Sequence, residues 1–117
     1  MSVPLLFPAL LTGGFAKAAY EPFREGVEIC HLQRAEAGTG PAIALLRYRP
    51  GASVPRHEHT GLETICVLSG SQSDEHGTYR TGDVVLNRTG SRHRVWSEEG
   101  CTVLISWAAP VRLLDAD

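Results

Sequence analysis

Glycine and proline interrupt this chain too often for long helices to grow. They account for 19 of its 117 residues (12 Gly, 7 Pro). Gly38, Gly40-Pro41, Pro50-Gly51, Gly70, Gly82, Gly90 and Gly100 separate short apolar, β-branched segments. These segments are 27–32, 42–49, 63–69, 83–87, 93–97 and 101–107. Short strands spaced by roughly 8–12 residues, with turn residues between them, predict an all-β sandwich or barrel. Asp74-Glu75-His76-Gly77 has the chemistry of a hairpin turn. Residues 9–20 could hold a short helix, which Gly13-Gly14 keeps from being long.

The chain length supports one domain. A net charge of −2 and a pI near 6.2 argue against a general nucleic-acid binder. Cys30, Cys66 and Cys101 are odd in number and form no Cys-x-x-Cys pair. They suggest neither a disulfide framework nor a thiolate zinc site, but reduced thiols in a cytoplasmic protein. Residues 3–15 are apolar, yet no Lys or Arg precedes them and Pro4 and Pro8 break the run. They read as an N-terminal arm (1–26) ahead of a barrel domain (27–117), not as a leader or a membrane span.

The five histidines are the compositional oddity, and four positions concentrate the chemistry. His57 and His59 sit two apart, which in an extended segment puts both imidazoles on one side. Glu63 follows four residues later, on the same strand face as Ile65 and Val67. A carboxylate on an apolar inner face is costly unless paired or bound to a metal. His93 lies thirty residues further on. Three imidazoles and a carboxylate suit one divalent ion, Fe(II) or Zn(II) first, with Mn(II), Ni(II) and Cu(II) also fitting. Glu63 could instead pair with Arg56 or Arg92, and the two neighbouring histidines could be strand-edge residues. His31 reads as a surface residue, His76 as a solvated turn residue, and Trp96 and Trp107 as core or interface. Ile65, Val67 and Val95 should line the interior, with Arg92 and Arg94 pointing away.

These residues fall in two stretches, GASVPRHEHTGLETICVLSG (51–70) and GDVVLNRTGSRHRVWS (82–97). They resemble the first and second motifs of the cupin superfamily. Arg88 stands where the second motif has proline, and Ser97 where it has asparagine. From Gly70 to Trp107, and above all in Asp74–Gly77 and Glu98–Cys101, the chain resembles the cupin domain of ChrR-like proteins. The resemblance implies a small antiparallel double-sheet jelly-roll barrel with His57, His59, Glu63 and His93 as metal ligands, commonly in a homodimer. It implies a metal-binding cupin that acts on or binds a small molecule, in one form a diketone or hydroxyketone dioxygenase. The alternative is a ligand- or metal-sensing regulatory cupin. The zinc-binding anti-sigma segment of ChrR-like proteins needs a Cys-x-x-Cys that this chain lacks. Neither nucleic acid nor membrane is an expected partner.

Overall fold

The structure is a computed structural model and describes residues 3–114. Ten strands form it, with no α-helix among the described residues. They are β1 (Glu21–Arg24), β2 (Val27–Gln33), β3 (Ala42–Tyr48), β4 (Ser53–His59) and β5 (Glu63–Asp74). β6 (Gly77–Arg80), β7 (Val84–Asn87), β8 (Arg92–Trp96), β9 (Cys101–Trp107) and β10 (Val111–Leu113) follow. All pairings are antiparallel, in the order β1-β2-β3-β9-β5-β8-β4-β10, with β6 and β7 added to β5. This is the all-β roll expected from the turn spacing.

β5 joins the two halves. Its first part lies between β7 and β9, and its second part pairs with β6 and β8. The segment expected to end at Gly70 therefore continues to Asp74. Gly70 (φ 70°) bends the strand and does not terminate it. Asp74 pairs with Gly77, which closes the expected hairpin.

Residues 53–59 read only as extended from the sequence, because Pro55 and the charged residues mask any alternation. They form β4 nonetheless, paired with β8 and β10. The helix considered for 9–20 resolves into two 3₁₀ turns, Leu10–Thr12 and Gly14–Lys17. Ala9 at φ 52° and Gly13 at φ 142° prevent a continuous helix. Within the segment read as an arm, β1 pairs with β2 at the sheet edge.

Period-two alternation sends one face of each strand into the roll. Val27 and Ile29, Ala44, Leu46 and Tyr48, Ile65 and Val67, Val95, and Val103 and Ile105 form this core. Leu45 faces the other way, in register with Cys30 and Leu104, yet is 0% exposed. Residues 5–11 run beside this outer face, where Leu5, Phe7, Leu10 and Leu11 share a groove with Leu32, Ile43 and Leu104. Leu45→Ala should therefore cost about 2–5 kcal/mol, as for a core leucine, although it lies outside the roll. Urea unfolding monitored by tryptophan fluorescence measures this. A cost under about 1 kcal/mol would show that the outer face is open to water.

Candidate metal centre

The β4–β8 ladder assembles the histidines. His57 and His93 are directly opposed across it. Beyond them, His59 N–H donates to the Ser91 carbonyl (2.9 Å) and Gly90 N–H to the His59 carbonyl (2.8 Å). One ring nitrogen from each of His57, His59 and His93 falls within 4.8 Å of the others. The rings meet edge to face, with centroids 4.6–5.0 Å apart. All three residues are at most 4% exposed, deep enough that bulk water does not screen them.

The hydrogen bonds settle which nitrogen is free. His57 Nδ1 lies 2.8 Å from the Pro55 carbonyl, which can only accept, so Nδ1 carries the hydrogen. His59 Nδ1 lies 3.1 Å from the Ser91 carbonyl and 2.9 Å from Ser91 Oγ. That hydroxyl donates to the Arg88 carbonyl (2.6 Å), so it too accepts from His59. His93 Nδ1 donates to Asp74 Oδ2 (3.0 Å). With δ hydrogens assigned this way, each Nε2 carries a lone pair. Nε2 of His59 and of His93 are buried without any hydrogen-bond partner. Two orphaned buried acceptors beside a third imidazole constitute a donor set for a cation.

Glu63 is held from both neighbouring strands. Its register partners are Asn87 on β7 and Trp107 on β9. Asn87 Nδ2 donates to Oε1 (3.0 Å) and Trp107 Nε1 donates to Oε2 (2.8 Å). Oε1 also lies 3.2 Å from His59 Nε2. That contact is close but does not amount to a hydrogen bond, and His59 Nε2 remains without a partner. At 3.2 Å, His59 Nε2 and Glu63 Oε1 are close enough for one ion to be held between them. Glu63 lies against His59 and outside the mutual radius of the three histidines. Neither arginine considered as its partner reaches it: Arg56 faces Glu75 (3.6 Å) and Arg92 faces Glu58 (3.0 Å).

The electrostatics follow from burial and these contacts. Burial lowers the pKa of His57. For His59, burial opposes protonation, but the Glu63 carboxylate outweighs it and raises the pKa. Glu63 is pushed up by burial and, more strongly, down by the histidines and Asn87. Asp74 is likewise held low against its burial by His93, Tyr79 and the His76 N–H. Burial and the Asp74 charge push the Tyr79 hydroxyl up to about 12.

Asp74 is among the residues that sequence reasoning missed, with Asn87, Pro55 and Ser91. Besides His93, Asp74 accepts from Tyr79 (2.8 Å) and from His76 N–H (2.8 Å), and it is 6% exposed. In the sequence it looks like the first residue of a turn. Trp107 packs against the core as expected, and its indole N–H also orients Glu63. The two departures from the second motif are both accommodated. Arg88 is exposed, and its carbonyl closes the turn by accepting from Ser91 N–H (3.0 Å). Ser97 is fully buried, and its hydroxyl donates to the Ser71 carbonyl (2.6 Å), tying β8 to β5. His31 lies 3.7 Å from Glu21, and His76 is exposed in the hairpin. Ile65, Val67 and Val95 are buried inside the roll; Arg92 and Arg94 are exposed outside it.

Known proteins share this architecture. The chain is 38% identical over 76 residues to the anti-sigma-E factor ChrR of Cereibacter sphaeroides. That match covers 62% of this chain and 36% of ChrR, so the chain spans about a third of its relative. The crystal structure of Rhodobacter sphaeroides SigE in complex with anti-sigma ChrR superposes with a TM-score of 0.66 at 27% identity. It covers 75% of this chain and 47% of that one. An acetylacetone dioxygenase from Acinetobacter johnsonii superposes with a TM-score of 0.74 at 18% identity, covering 82% and 72% of the two chains. The latter likeness is one of fold alone. Residues 10–109 match the ChrR cupin-like domain, and with most of its length inside that match the chain belongs to this cupin family.

Proposed function

We propose that the chain binds one divalent metal through Nε2 of His57, His59 and His93 with Glu63 as fourth ligand. The centre then takes a small molecule that offers oxygen donors. The carrying observation is the set of Nδ1 hydrogen bonds, which leaves buried Nε2 lone pairs with nothing to bind. A bound divalent ion supplies Lewis acidity, lowering the pKa of an enol or hydroxyl that reaches it. The protein's own groups do the rest. Pro55, Ser91 and Asp74 keep the δ hydrogens in place, Asn87 and Trp107 orient Glu63, and Ile65, Val67 and Val95 exclude water. A cavity of about 260 Å³, lined by Phe23, Ile29, Ala42, Trp107 and Val111, reaches the indole that holds Glu63. Its apolar walls suit a small, partly apolar ligand.

In the enzymatic reading the ligand is a diketone or hydroxyketone and O2 is the co-substrate. Elemental analysis of protein purified without an affinity tag should find about one divalent metal per chain. The Fe(II)-loaded protein should consume O2 with some member of a diketone panel. Metal-free protein after supplementation would overturn the metal proposal; loaded protein without O2 uptake would overturn the enzymatic reading. The 38% identity to an anti-sigma factor favours a second reading, regulatory binding without turnover. In that case a diketone or hydroxyketone should raise the melting temperature of the Zn(II)-loaded protein without being consumed.

Asp74→Asn keeps the shape but weakens the acceptor behind His93. Metal affinity should fall about 10–100-fold, the usual range for such an outer partner. Competition with a chromogenic chelator measures it. Unchanged affinity would separate Asp74 from the centre.

A further inference from the structure

A further cavity lies at the start of β4. β4 begins there with Ser53 and reaches the first of the histidines at His57, four residues and about 13 Å further on. Here the β1–β2 turn and the β3–β4 turn flank a cavity of about 500 Å³ that is open to solvent. Arg24, Glu25, Arg49 and Ser53 supply its charged and hydroxyl side chains.

Arg34, Arg47, Arg56, Arg92 and Arg112 each face a carboxylate. Arg24, Arg49, Arg80, Arg88 and Arg94 form no ion pair among the described residues, and of these Arg24 and Arg49 share this cavity. Arg24 Nε is moreover fully buried with no hydrogen-bond partner. The Phe23 ring, 5.1 Å from the guanidinium carbon, offers it only a π face. Nε itself is closed to solvent, so a ligand in the cavity meets the terminal guanidinium nitrogens, and its negative charge offsets the cost of a buried cationic N–H without an acceptor. A guanidinium presents its donors as a fork matched to a carboxylate or phosphate. We propose that this cavity is an oxyanion site, in which Arg24 and Arg49 grip a carboxylate or phosphate group and Ser53 supplies a hydroxyl. Glu25 on the wall leaves the lining at net +1, which favours a singly charged group over a polyanion.

The two sites share β4, since Pro55 lines this cavity and its carbonyl accepts from His57 Nδ1, so metal content is followed alongside oxyanion binding. Tag-free protein is titrated with inorganic phosphate, and in a second arm with acetate, chloride holding the ionic strength constant. The readouts are calorimetry and the Arg24 Nε–H resonance. Saturable millimolar binding that moves this resonance is expected in one arm, and the responding arm identifies the source of the oxyanion. Arg24→Gln should weaken it at least tenfold, as should Arg49→Gln at an exposed position where folding is not at stake. Arg80→Gln, exposed at the end of β6, should bind as the parent does. Metal content should be the same in all variants. No saturable binding in either arm, or equal binding by Arg49→Gln and the parent, would overturn the proposal and leave the metal centre standing.

Discussion

Replacing His93 by alanine should abolish stoichiometric metal binding while the roll stays folded. Three consequences of the substitution point the same way. It removes one of the three nitrogens gathered within 4.8 Å. It also deprives Asp74 of the His93 N–H that Oδ2 accepts, leaving a buried carboxylate held by Tyr79 and the His76 N–H alone. And it opens the space between His57 and His59, whose rings lie 4.7 and 4.6 Å from that of His93. Affinity should fall by more than the 10–100-fold expected for an outer partner such as Asp74. His57→Ala should behave similarly. Imidazole ligands must be neutral to bind, so the parent's affinity should also fall as the pH drops below about 6. Elemental analysis and chelator competition measure both effects. A variant retaining one equivalent of metal would move the site elsewhere.

Much of this centre was legible because its logic is local. A His-x-His pair on an extended segment shares one side whatever follows, and the alternation from Glu63 to Val67 shows that Glu63 faces inward. The Nδ1 acceptors were not legible. Pro55 and Ser91 act through their carbonyls, which no residue type announces. Asp74 sits eleven residues beyond Glu63, and its role appears only because β5 continues past Gly70 and brings both ends of one strand to the site. Trp107 needed the β5–β9 register, which places it opposite Glu63. The edge strands β1 and β10 escaped detection for another reason. They are four and three residues long, and β1 carries Pro22, so neither has enough alternation to register as a strand.

That dependence on one bent strand makes Gly70→Ala the most damaging single substitution expected for the fold. Gly70 lies at φ 70°, where an L side chain costs ~1–2 kcal/mol by itself. A Cβ there would also overlap the Gly100 carbonyl oxygen and stand 3.0 Å from both the Gly100 carbonyl carbon and Cys101 Cα. These are backbone atoms, so no rotamer change relieves the overlap. Either β9 must retreat at its first residue or β5 must straighten. The first option breaks the Gly70–Cys101 pairing. The second carries Asp74 away from His93. The cost should exceed about 4 kcal/mol, at the far end of what one substitution does. Gly51 supplies the control, since its φ is 85° and nothing lies within 4 Å of a Cβ there. Gly51→Ala should cost only the ~1–2 kcal/mol of backbone strain. Urea unfolding of the two variants side by side separates collision from conformational preference. Equal losses would show that β9 can yield at Gly100, so that the bend in β5 rests on glycine's backbone freedom and not on close approach.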